Sequence, residues 1–425
     1  MRILGEPWEG MMVNSNQLPL GGRSILGLLI VLTLANGVVG FDRQTVAFLA
    51  PYIVEEMGLT NAQIGLTAGA LSLAIAISSF FGSQIADRSG RSRAMLIGCT
   101  LLFSLLSGVS GLATTFIFLL AARFALGLAE GPIVPISQAM ILKNSSPERR
   151  GLNMGFMQMV GAFGIAGFLG PVVATQLAEA HGWRTAMFLS ILPGLVVAAM
   201  MLFMIKPDVK RPAGSVPEHR GSLFASFGQL LRIRNMQVSL AVAGLITAWL
   251  VLQSTFLVLF LTEIKGLAPT TAGWVIGMGG WAGLIGGISL PLLSDRIGRK
   301  PVMVFGALAG ICGPIALLML PGDPVLLAIS VLLGWLPLGI APLYCATVPT
   351  ESVSPAQATT AVGLAMGCAE LFGGVILPPI AGRAADVFGL QAIFYICIGL
   401  ALVASLAALF LKETAPRIAG AAVER

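Results

Sequence analysis

The chain has 425 residues, of which 56% are hydrophobic and 10% charged, with a formal net charge of +6 at pH 7. Its mean hydropathy is +0.91. Soluble globular chains are roughly one quarter charged, so this composition excludes an ordinary soluble domain and reads as an all-α integral membrane protein.

The same composition leaves little for enzymatic or redox chemistry. Cys99, Cys312, Cys345, Cys368 and Cys397 all lie in apolar runs and none forms a C-x-x-C pair, so they read as small reduced interior residues. The two histidines are His181 and His219, and there is no H-E-x-x-H and no P-loop. No metal, cofactor or enzymatic activity is expected. The sequence pI of about 9.3 does not point to nucleic acid, because the basic residues cluster in short loops between apolar runs.

The opening segment, "MRILGEPWEGMMVNSNQLPLGG", has no apolar core before its polar residues and is not a signal peptide. It reads as a disordered tail over residues 1–22, with Met11 and Met12 as alternative starts. Twelve apolar runs of spanning length follow, at 24–54, 60–86, 94–112, 114–142, 151–180, 183–205, 236–263, 269–294, 302–320, 324–348, 357–387 and 390–411.

The first run carries Asp42 and Arg43 inside "VVGFDRQTVAFLAP". Residues 24–41 could span alone and leave the pair among the outer headgroups, but "QTVAFLAPYIV" would then protrude into water. Glu55-Glu56 is the more natural end, which predicts one long helix with the charged pair partway along it. Adjacent helical residues point ~100° apart, so Asp42 and Arg43 need not pair with each other.

Partners are available in the fourth run, where "RFALGLAEGPIVP" holds Arg123 and Glu130 seven residues apart on one helical face. Gly127 lies between them and is expected to leave room beside them. An intramembrane Arg or acid costs ~2.5–3.5 kcal/mol on insertion scales, and such residues usually face inward and mark a substrate or proton path. The structural alternative is an ion-pair cluster that only locks helices together. A buried pair is weak evidence for stability, which favours the functional reading.

The chain also repeats. "ADRSGRSR" and "SDRIGRKP" place Asp87 and Asp295 208 residues apart, and Ser146-Pro147 matches Ser354-Pro355 at the same offset. Two homologous halves of six spans are expected, at 23–205 and 235–412, joined by a polar linker at 206–234 and followed by a tail at 413–425. Two such halves around a midplane site form a secondary-transporter architecture. Twenty of the 25 Lys and Arg residues fall on the side of the termini and linker, which makes that side cytoplasmic. The Asn144 sequon then faces the cytoplasm and is discounted.

The halves differ in charge. The positions 208 residues beyond Asp42, Arg43, Arg123 and Glu130 are Leu250, Val251, Val331 and Leu338. The second half offers Gln253, Tyr344 and Glu370 to a central cavity. Glu370, in "GCAELFGG", is its one deep acid and reads as a second proton site, a gate contact or a structural hydrogen-bonding residue. Gly279, Gly283 and Gly287 form a small-residue ladder for close helix packing. Trp274 and Trp281 share a face suited to packing or to a cavity wall.

The D-R-x-G-R loops after the second and eighth spans resemble the signature of the major facilitator superfamily, although Ser83 and Pro291 stand where that loop usually begins with glycine. "RFALGLAEGPIVP", the Asp42-Arg43 pair and "GWR" at 182–184 resemble the anion:cation symporters within it. "FDRQTVAFLAPYIVEEMGLTNAQIG" also resembles the Spinster-type carriers of lysolipids and sphingolipids. The first resemblance implies a monomeric carrier in the cytoplasmic (inner) membrane that moves a small organic anion with protons by alternating access. Arg43 and Arg123 would bind the substrate carboxylate, since a guanidinium matches its geometry. Asp42 and Glu130 would carry protons. The superfamily resemblance gives Asp87, Arg91, Asp295 and Arg299 a role in closing the cytoplasmic side. A Spinster-like lipid carrier is the alternative. A drug or metabolite antiporter comes third, since "FLGPVVAT" (168–175) lacks the double glycine usual after that proline in drug antiporters.

Overall fold

The computed structural model describes residues 22–146, 149–208, 228–354 and 357–415, without the side chains of residues 22–24, 83, 87, 88 and 359. Most of the expected linker, most of both tails, His219 and the side chain of Asp87 therefore lie outside the described residues. Among those described, twelve helices are long and apolar enough to cross a membrane. They are α1 (Ile25–Met57), α2 (Asn61–Ala86), α3 (Ser92–Ser110), α4 (Phe116–Asn144), α5 (Arg150–His181), α6 (Trp183–Met204), α7 (Arg234–Glu263), α8 (Pro269–Ile297), α9 (Arg299–Met319), α10 (Pro324–Glu351), α11 (Thr360–Phe388) and α12 (Gln391–Ala408).

Local chemistry sets the helix ends. The Thr60 side chain accepts a hydrogen bond from the Gln63 backbone N–H while the Gln63 side-chain oxygen accepts one from the Thr60 backbone N–H, a reciprocal cap that starts α2. Asp323 caps α10 through the backbone N–H groups of Val325 and Leu326, with Pro324 in the first turn. The helix that contains α1 runs unbroken from Gly22 to Met57, as the long-helix reading predicts, and places Asp42 and Arg43 near its middle.

The repeat extends to the irregular turns. α4 is interrupted at Gly131-Pro132, and the corresponding part of α10 tightens into a 3-10 turn over Leu336–Ile340. α5 widens into π-helix over Val160–Leu169, and α11 does so over Glu370–Ile376. Insertions of this kind concentrate at functional sites in helical proteins.

Each half packs as a unit, and the two meet along α2 with α11, α5 with α8, and α1 with α7. The approach is closest at the end opposite the D-R-x-G-R loops. A Cβ on Gly382 would lie 2.3 Å from the Asn61 carbonyl oxygen, and one on Gly273 would lie 2.8 Å from that of Pro171. Only glycine permits such backbone contact. The ladder packs against side chains: Gly279 meets the Trp335 ring of its own half, while Gly283 meets the Phe163 ring and Gly287 the Met159 thioether across the boundary. Trp274 and Trp281 stack around Phe168, with ring centroids 6.0 and 5.6 Å away. At the loop end, Gly363 and Gly367 of α11 face open space. The halves are thus closed against each other at the far end and parted at the loop end.

Three carboxylates cap helices at these ends. Asp386, in the last turn of α11, accepts from the backbone N–H groups of Asn61 (2.8 Å) and Ala62 (3.1 Å) at the start of α2. It caps a helix of the opposite half and meets the positive end of that helix's dipole. At the loop end, Glu413 caps α9 through Arg299 (2.8 Å) and Lys300 (3.1 Å), and Asp208 caps α3 through Arg93 (2.9 Å) and Ala94 (3.1 Å). In each half, the chain leaving the sixth span folds back to cap the third.

Two expectations follow. Loss of a cap costs ~0.5–2 kcal/mol. Asp386→Ala should therefore raise the population open at the far end severalfold, seen as a longer distance component between spin labels on the outer ends of α2 and α11. An unchanged distribution would count against the latch. Burial pushes the Glu413 carboxyl up, but backbone donors from Ala415, Arg299, Lys300 and Thr414 outweigh it and hold the carboxyl below its ordinary 4.5. A lowered pKa means the stabilisation is present above the ordinary carboxylate range and is lost as pH falls through the lowered value. Glu413→Gln should lower Tm at pH 7, and the gap to wild type should narrow on acidification.

Candidate functional site

Burial dictates how the central charges are arranged. Asp42 on α1, Arg123 and Glu130 on α4 are each 1% exposed, enclosed within the first half. Charges this deep persist only when paired and hydrogen-bonded. Arg123 Nη1 donates to the Asp42 backbone carbonyl at 3.1 Å. The Asp42 carboxylate accepts from Ser107 Oγ on α3, and Ser107 in turn meets Ser190 Oγ on α6 at 2.6 Å. Four helices of one half converge on this pair of residues.

The Asp42 and Glu130 carboxyls lie within hydrogen-bonding reach of each other. Both present acceptors, so no hydrogen bond forms between them without a proton. Among the described residues, Asp42 Oδ2 and both Glu130 carboxyl oxygens are buried with no donor. One proton shared between the two groups would supply a donor to this cluster, as in other carboxyl dyads that share a site.

Arg43 turns the other way. Its side chain is 33% exposed and forms an ion pair with Glu370 on α11, whose side chain is 22% exposed. Arg43 Nη2 also reaches Ser72 Oγ on α2 at 3.4 Å. The adjacent residues of one dipeptide thus serve different places: Asp42 the interior of the first half, Arg43 the boundary between halves. Of the ion pairs among the described residues, Arg43–Glu370 alone joins the two halves.

Several expectations are corrected. Arg123 is 1% exposed in this conformation, and its guanidinium donates to the Asp42 backbone carbonyl close to the two acids. Gly127 does not open space beside the charges, since a Cβ there would lie 2.6 Å from the Leu71 carbonyl oxygen and its absence lets α4 approach α2. Gln253 is 0% exposed and accepts from Trp335 Nε1 at 3.1 Å, and Tyr344 is buried against Thr247. Both belong to the interior of the second half rather than to a cavity wall. Glu370 is the residue of the expected second-half set that reaches the boundary.

The loop residues are placed unequally. Arg299 binds Asp295 one turn earlier, Ser294 Oγ (2.6 Å) and the Glu351 carboxylate on α10 (3.0 and 3.4 Å), all within its own half. Arg91 is exposed. Sequence reasoning missed Ser72, Ser107 and Ser190. Serine is ordinary in membrane helices, and no spacing set these three apart.

Among the described residues, no group of three or more His, Cys, Asp or Glu is placed to hold a metal ion. What remains is a helical membrane carrier: two six-helix halves, closed at one end, with ionisable groups at midspan on and beside their boundary. The family model described as Major Facilitator Superfamily matches residues 32–368 and 252–424, and the chain belongs to that superfamily, which makes it a transporter and not an enzyme. It is 26% identical over 425 residues to the hexuronate transporter of Bacillus subtilis, covering 94% of this chain and 97% of that one. It is 27% identical over 395 residues to the cis,cis-muconate transport protein of Acinetobacter baylyi, covering 89% and 92%. Among solved structures, a bacterial homologue of the human lysosomal transporter Spinster superposes with a TM-score of 0.72 at 19% identity, over 91% of this chain and 96% of that one, a likeness of fold.

The enclosure of Arg123 gives a test. Arg123→Met would leave two acids around a lost cation, and breaking a buried pair costs ~3–5 kcal/mol. The variant should be poorly folded by Tm, and adding Glu130→Gln should recover much of the loss. If the double variant is no more stable than the single one, the cation does not serve the acids.

Proposed function

We propose that the protein is a proton-coupled symporter of a small organic anion across the cytoplasmic membrane, with both termini cytoplasmic, acting as a monomer by alternating access. The observation that carries this reading is the facing of Asp42 and Glu130. Three of their oxygens lack a donor deep in the fold, on the same dipeptide and helix turns that present Arg43 to the boundary. The dyad is the proton site, and Arg43, rather than Arg123, is the group that meets the substrate's carboxylate. The curated names of the two relatives, transporters of hexuronate and of cis,cis-muconate, support an organic acid as substrate.

Coupling follows from proximity. Arg43 lies close enough to Glu130 for their charges to interact. A proton on the dyad weakens its hold on the neighbouring guanidinium field, so anion and proton binding favour each other, a coupling that linkage makes reciprocal. Asp87, Arg91, Asp295 and Arg299 would act at the loop end, where the halves are parted and must close for the carrier to face outward.

Glu130→Gln and Asp42→Asn should each abolish proton-driven accumulation of glucuronate in proteoliposomes, and at least one should retain exchange without a gradient. Wild-type rates of accumulation in both would remove the proton assignment. A short acid and a lysolipid series then separate carriers by class. A lipid carrier would gain ~0.8 kcal/mol per buried methylene and depend little on Arg43, whereas Arg43→Lys should cost a carboxylate carrier ~1.5–3 kcal/mol of binding.

A further inference from the structure

We propose that Glu370 is a built-in stand-in for the substrate's anionic group: it occupies Arg43 while the site is empty, is displaced when an anion binds, and takes up a proton as it leaves. The inference rests on Arg43 being the anion-binding group.

Three observations lead to it. Arg43 is the one arginine of the central site with substantial exposure, and the position an incoming carboxylate needs is already taken by the Glu370 carboxylate from the opposite half. Glu370 opens the π-helical stretch of α11, whereas the equivalent stretch of α5, Val160–Leu169, carries no ionisable residue. The two halves thus share the widened turn, but only the second loads it with an acid. Thirdly, the pair crosses the boundary, so whatever breaks it also removes a tie between halves that must move apart and together during transport.

Charge balance supplies the proton. Asp42, Arg43, Arg123, Glu130 and Glu370, all ionised, carry one negative charge in excess, and one proton held by the Asp42–Glu130 dyad makes the set neutral. A monoanion that takes Arg43 from Glu370 adds a negative charge and strands a carboxylate in a poorly solvated place, where a lone charge is costly. Transfer of one proton from hydronium to the freed carboxylate, leaving water and a carboxylic acid, restores neutrality.

Among the described residues, the surroundings offer Glu370 no second cation. The groups near it are Arg43, with Asp42 and Glu130 beyond, and the Cys345 thiol on α10. α2 presents Ser72 there and holds Asp87 and Arg88 only at its loop end, while α7 has no ionisable residue between Arg234 and Glu263. On α12, Tyr395 is exposed and Cys397 lies against the Trp249 carbonyl.

The test uses purified full-length protein with glucuronate, cis,cis-muconate and lysophosphatidate as probes, reading affinity by calorimetry and proton uptake with a pH-indicator dye. Glu370→Gln should bind the preferred anion at least about tenfold more tightly than wild type, because no internal carboxylate competes for a charge-assisted bond. It should also take up one proton fewer per anion bound. Equal or weaker binding by Glu370→Gln, unchanged proton uptake, or no binding of any probe by either protein overturns the inference. Which probe wild type prefers reports separately on the substrate class: a preference for lysophosphatidate would sink the organic-acid reading while leaving displacement of Glu370 to be judged by the same affinity ratio. If Glu370→Gln does not fold, Glu370→Asp keeps the charge and shortens the reach, and should tighten binding in the same direction by a smaller factor; no tightening counts against the inference.

Discussion

The burial of one guanidinium close to two buried acids organises the first half. Arg123, Asp42 and Glu130 sit where an unpaired charge is costly, which puts a premium on the contacts that Arg123 and Asp42 make. Arg123 holds the Asp42 backbone, Ser107 holds its carboxylate, and Ser190 holds Ser107. Those bonds tie α1, α3, α4 and α6 into one body. They also leave a deficit: carboxyl oxygens without donors, which a proton satisfies. On the proposed reading, the same constraint that stabilises the half also makes it responsive to protons.

The second half contributes differently. It has no counterpart to this cluster, and its polar residues Gln253 and Tyr344 turn inward to Trp335 and Thr247. Its part in the site comes through α11, which meets the first half twice, with Glu370 on Arg43 at midspan and Asp386 on the start of α2 at the far end. One helix therefore carries both a central tie and an end tie. Since the loop end is parted and the far end closed, on the proposed alternating-access reading these ties belong to one of two states, and their rupture belongs to the passage between them.

Sequence and structure agree where the signal is local. The long first helix was legible because ending it before Asp42 would have put eleven apolar-rich residues into water, and it runs through to Met57. The repeat was legible from two motifs at one offset, and it reappears in the widened and tightened turns of α5, α10 and α11. The small-residue ladder of α8 packs as closely as its spacing suggested. Where side-chain direction mattered, spacing was insufficient. Gly127 shares a face with Arg123 and Glu130, yet the neighbour on that face is the α2 backbone and not a cavity.

The sequence by itself determined the membrane class, the twelve spans, the two halves and the identity of the costly charges, because burial energies and the period of a helix depend only on which residues stand near one another in the chain. Tertiary structure alone decided how those charges divide. Arg123 is sealed while Arg43 is exposed, and Arg43 meets an acid 327 residues away. A pairing across that separation leaves no periodic trace, since each partner's own helix satisfies the local rules whichever way its side chain points. Only the docking of α11 against α2, which brings Glu370 to Arg43, selects it.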